Sequence, residues 1–121
     1  MPGKTLLLVA AAVLFATGAS AQEFAAKGLG ATSCTEFEQM YKLDPSAADE
    51  GFYNWALGFM SGWNFANATA GQPTRDLNAT APALQEFYLR QHCDQQPSQF
   101  YLQGVKGLFL SLPLIHRQIS K

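Results

Sequence analysis

Charge is what this sequence has little of. Of its 121 residues only 14% are charged, and from Gly51 through Thr74 there is no Asp, Glu, Lys or Arg. Without a basic stripe to neutralise phosphates, nucleic-acid binding is excluded as a function class. Cysteine is sparser still. Cys34 and Cys93 are the whole supply, too few soft ligands at close spacing for a zinc site. Gly-rich phosphate loops, nucleophile elbows and zinc-protease patterns are absent. His92 and His116 stand singly, and Glu36, Glu38, Asp49 and Glu50 lie near helix starts, where carboxylates favour the positive dipole end without catalytic duty. The expectation is a protein that is not an enzyme, with no catalytic residue, metal or cofactor.

The chain begins with a basic Lys4, an uncharged apolar run from Leu6 to Phe15, and then Ala19-Ser20-Ala21. This order is that of a secretory signal peptide, with a small-x-small cleavage site after Ala21. The apolar core falls short of the about 20 residues that a membrane anchor needs. Residues 1–21 are therefore expected to be removed on export. Taking 21 from 121 leaves 100, one domain. Losing Lys4 leaves 7 of 8 basic side chains against 9 acidic ones, a net charge near -2. Because 48% of residues are hydrophobic, the remainder can fill a core.

An even cysteine count in an exported chain implies a disulfide between Cys34 and Cys93. In the chain-entropy model, closing a loop of this length stabilises by about 4 kcal/mol. Residues 22–32, with two glycines and no periodicity, read as a loose N-terminal segment. Residues 33–121 read as four helices. Ser33 and Glu36 have capping-box spacing before a helix that runs to about Leu43. Asp44-Pro45 then restarts the chain as N-cap and first helical residue. The second helix carries an apolar face of Phe52, Trp55, Ala56, Phe59, Met60 and Trp63. Gly58 and Gly62, four apart, predict a bare side over which another helix packs closely.

Residues 67–81 read as a loop, whose Asn67 and Asn78 triplets are glycosylation acceptors only in a eukaryotic source. Pro82 opens a third helix, with Leu84, Phe87 and Tyr88 inward. Pro97 opens a fourth, with Phe100, Tyr101, Leu102, Val105, Leu108, Phe109 and Leu112 apolar, and Pro113 ends it. The fold class is all-α: a small four-helix single domain closed by one disulfide. The aromatics, with Trp55, Phe59, Trp63, Phe100 and Phe109 foremost, serve either as core or as a partner-binding face.

The pattern Cys34-x-x-Phe37, Trp55-Ala-Leu-Gly58-Phe-Met-Ser-Gly62 and Tyr88-x-x-x-x-Cys93-x-x-x-Pro97 resembles the HdeA-like family of small periplasmic all-α proteins. That resemblance implies a periplasmic acid-stress chaperone, a homodimer at neutral pH that opens in acid to hold unfolded client proteins. The Gly58–Gly62 segment, with Leu84-x-x-x-Tyr88-Leu89 and a helix after Pro97, is also similar to the Tai-type immunity proteins of type VI secretion. Those imply an exported inhibitor that blocks one folded cell-wall amidase toxin. Both imply a non-enzymatic module that works by binding protein.

Overall fold

The computed structural model describes Gly3 and residues 26–115. The expected signal peptide and its expected cleavage site, the N-terminal residues 22–25 and His116 lie outside that range, Gly3 excepted. Among the described residues there are four α-helices and no strand: α1 (Cys34–Leu43), α2 (Pro45–Thr69), α3 (Pro82–Gln95) and α4 (Tyr101–Ser111). A single 3-10 turn, Leu29–Ala31, precedes them.

Local chemistry starts each of the first three helices. The Ser33 hydroxyl accepts from the Glu36 N–H, and the Glu36 carboxylate accepts from the Ser33 N–H, so the expected capping box is present. The Asp44 carboxylate accepts from the Ala47 N–H, with Pro45 as the first residue of α2. Pro82 likewise begins α3. Helix α2 is longer than expected, extending to Thr69. Helix α4 starts later, at Tyr101 instead of Pro97. Its upstream residues are taken by the start of α1: the Cys34 N–H donates to the Gln99 carbonyl at 2.7 Å and the Thr35 N–H to Pro97 at 3.2 Å. The Tyr101 N–H in turn donates to Thr32 at 2.9 Å. A segment whose carbonyls are committed to another chain segment cannot use them to wind a helix.

The Cys34–Cys93 disulfide is formed, with the two Cα atoms 4.7 Å apart, and joins the first turn of α1 to the end of α3. Beside it three rings fill the centre. Phe37 meets Phe52 edge-on at 4.8 Å, and Tyr101 lies 4.9 Å from Phe52 and 5.1 Å from Phe37, separations at which aromatic pairs attract beyond their buried area. Met60, Leu89, Val105, Leu108, Phe109 and Leu112 complete the core.

Two expectations are corrected. On α3 the inward residues are Gln85, Leu89 and Cys93, while Leu84, Phe87 and Tyr88 are exposed. A polar side chain holds a core position because its amide is fully used: Gln85 accepts from the Tyr53 hydroxyl at 3.0 Å and donates to the Leu77 and Thr80 carbonyls. Buried amides are tolerated when so satisfied. The second correction concerns Gly58 and Gly62. Both are exposed, and a Cβ built on either would meet nothing within 4 Å. Close helix packing occurs instead where α3 meets α4. A Cβ on Gly104 would come within 3.0 Å of the His92 ring, and one on Gly107 within 2.9 Å of the Tyr88 hydroxyl.

Two consequences are measurable by urea denaturation. Breaking the disulfide in a Cys34→Ser, Cys93→Ser double variant lowers stability by about 4 kcal/mol. Gly58→Ala, at an open helical position, raises stability by up to about 1 kcal/mol. Gly104→Ala lowers it, because the crowding against His92 outweighs the same gain in propensity.

Candidate functional site

The spacing of Trp55, Phe59 and Trp63, one turn apart on α2, makes them a ladder. Trp55 stacks on Phe59 at 5.5 Å, and Phe59 meets Trp63 edge-on at 5.9 Å. Trp63 stacks on Phe109 of α4 at 4.3 Å. The three α2 rings are half-buried, whereas Phe109 is core. Trp55 also covers Gly30, where a Cβ would collide with the indole. The structure thus brings four of the five singled-out aromatics into one run. Phe100 stands apart, 51% exposed, at the beginning of α4.

Arg75, in the loop after α2, holds the far end of the ladder. Its guanidinium lies 5.9 Å from the centre of the Phe109 ring. Its Nη1 donates to the Leu110 carbonyl at 2.9 Å and to Leu112 at 2.7 Å. A cation is favoured at those carbonyls because they carry the negative end of the α4 dipole. The Asn64 side chain fixes the Arg75 backbone from both sides, donating to its carbonyl and accepting from its N–H.

Along this ladder α2 and α4 leave a furrow. Its middle, about 390 Å³, is lined by Phe59, Trp63, Leu102, Gln103 and Lys106. Through Leu102 and Gln103 it continues to a recess of about 300 Å³ beside Gly30 and Phe100. Through Trp63 it continues to one of about 290 Å³ beside Arg75, Leu110 and Leu114. Among the described residues, the charged ones lining these three recesses are Lys106 and Arg75, with no carboxylate. Sequence reasoning missed Gln103, Lys106 and Arg75. Gln103, Lys106 and Leu110 recur at helical spacing on α4, a signal that was available but weak.

A second furrow, between α1 and α3, has mixed charge, with Glu38, Lys42, Arg90 and Asp94 among its lining residues. Arg90 there pairs with Asp49 at 3.0 Å and lies over the Tyr41 ring at 5.1 Å. Burial first, and then the Asp49 charge, raise the pKa of the neighbouring Glu86, with Arg90 opposing. Burial likewise pushes the phenols of Tyr53 and Tyr101 upward. His92 is engaged by Gln99, 2.8 Å from its Nε2.

Asn67 lies in the last turn of α2 with its amide on the Pro73 carbonyl, and Asn78 lies in the exposed turn after Asp76. Among the described residues no three His, Cys, Asp or Glu side chains are grouped so as to hold a metal ion. None of the helices there is long and apolar enough to cross a membrane. Set against family models, curated proteins and solved structures, the chain matches none.

Arg75→Ala is expected to cost about 1–2 kcal/mol, since it removes a charged donor from two carbonyls, of which that of Leu112 is part-buried. Urea denaturation measures the loss. Acrylamide quenching should show Trp63 more accessible as the α2–α4 end loosens, and unchanged quenching would mean that Phe109 alone holds the stack.

Proposed function

We propose that this chain is an exported, periplasmic protein-binding module without chemistry of its own, and that the furrow between α2 and α4 is its working surface. The observation carrying this reading is the half-buried Phe59–Trp63 pair lining an open furrow whose charges, among the described residues, are all of one sign. Tryptophan anchors in such recesses are where protein interfaces concentrate their binding energy. The intramolecular disulfide is consistent with an oxidising compartment.

Of the two activities implied by resemblance, binding one folded partner at neutral pH, as an immunity or inhibitor protein does, accords better with this geometry than acid-triggered client holding. The furrow is built on two helices anchored in the core and needs no opening. Glu86 by itself supplies no acid trigger. Its folded-state pKa lies above the ordinary carboxylate value, so the folded state binds its proton first as pH falls. In that window its protonation adds stability, so an acid trigger would have to come from other groups.

Two measurements on the mature chain, Gln22–Lys121, test this reading. The first follows apolar-dye binding, oligomer size and protection of a model client from pH 7 to about pH 2. Unchanged dye binding through the carboxylate range and no client protection are expected. Dye binding that rises together with protection would replace this reading with the acid-stress chaperone. The second places a photo-crosslinking residue at Gln103 or at Gln91, in the other furrow, in cells at neutral pH. A discrete protein adduct is expected from Gln103, and its absence sinks the proposal.

A further inference from the structure

The furrow's walls restrict what can lie in it. At its middle both are α-helices, whose backbone N–H and C=O groups are bonded within each helix, so the middle of the furrow offers no strand edge for an extended peptide to pair with. Recognition there must run through side chains alone. From Phe100 to Leu110 the furrow follows the length of α4, roughly 16 Å at 1.5 Å per residue. A helix of about three turns spans the same distance. The Phe59 and Trp63 rings, 5.9 Å apart, repeat at close to one helical pitch, the step at which an amphipathic helix presents successive apolar side chains.

Charge narrows the occupant further. Lys106 stands exposed at the middle of the furrow, and among the described residues the ion pair present is Arg90–Asp49, which leaves Lys106 without a carboxylate. Arg75, at one end, is the other lining charge. The carboxylates Glu38 and Asp94 line the furrow between α1 and α3 instead. Among its described residues, a chain with more acidic than basic side chains therefore lines this furrow with cations only.

We infer that the furrow takes a single amphipathic helix from a partner protein, apolar on the face laid against Phe59 and Trp63 and carrying a carboxylate that meets Lys106. This rests on the protein-binding reading above and adds the partner's shape and charge to it. Complementary charge at such a contact sets specificity and association rate more than affinity.

The test selects 14-residue peptides from a displayed random library against the oxidised mature chain, and in parallel against its Lys106→Glu variant. Lys106 is exposed, so the exchange leaves folding intact, which circular dichroism verifies. The wild type is expected to enrich peptides with apolar residues at helical spacing and at least one Asp or Glu. Those peptides, once synthesised, should perturb Trp63 fluorescence, become helical on binding, weaken as salt is raised, and bind Lys106→Glu at least 10-fold more weakly. The variant itself should enrich Lys- or Arg-bearing peptides. Enrichment without an acidic preference, equal binding to both proteins, extended bound peptides, or no enriched peptide each overturns the inference. A cellular adduct at Gln103 that survives Lys106→Glu unchanged would retain the protein-binding reading while removing this one.

Discussion

The Cys34–Cys93 bond and the hydrogen bonds around it fix where α1, α3 and α4 stand. Next to the disulfide the backbone of residues 32–35 is tied to residues 97–101: Cys34 to Gln99, Thr35 to Pro97 through both its N–H and its hydroxyl, and Tyr101 to Thr32. The covalent bond limits the unfolded chain, while the hydrogen bonds set the direction from which α4 departs. Tyr101, the first residue of α4, thereby enters the centre beside Phe37 and Phe52. With that register set, the next turns of α4 place Leu102, Gln103 and Lys106 toward Phe59 and Trp63. The furrow is thus a consequence of the clamp at the opposite end of α4's first turn.

Two local arrangements sharpen the packing that the clamp begins. Gly104 and Gly107 let α4 approach α3 closely enough for His92 and Tyr88 to lie over bare backbone. Gln85 binds α3 to α2 and to the loop between them through Tyr53, Leu77 and Thr80. The glycines draw α4 onto α3 and Gln85 draws α3 onto α2, whereas α2 and α4 meet through the large Trp63 and Phe109 rings. Bulky contacts hold two helices farther apart than glycine contacts do, and the space left between α2 and α4 is the furrow.

Charge follows the same division. Helix α2 contributes no charge from Gly51 onward, so the furrow takes its sign from α4 and from Arg75 after α2. The mixed charges gather where α1 and the first turns of α2 meet α3, where Arg90 offsets Asp49 and Glu86. A small domain with few charges can still be specific, since specificity depends on where the charges stand and on what is left uncharged beside them.

The sequence by itself determined the elements that rest on local rules. The Ser33–Glu36 capping box, the Asp44-Pro45 restart, Pro82 and the helical face of Phe52, Ala56 and Met60 were all legible, because caps and the 3.6-residue period act over a few neighbours. The cysteine pairing was legible because two cysteines leave one partner each. Only the tertiary structure decided the rest. Gln85 took a core place that apolar periodicity assigned to Leu84, Phe87 and Tyr88, since three distant groups satisfied its amide. The packing role expected of Gly58 and Gly62 fell to Gly104 and Gly107, because a glycine matters only where another element arrives. The furrow itself joins residues of α2 to residues about 40 positions later in the chain, and no local pattern records which side chains will face one another across such a gap.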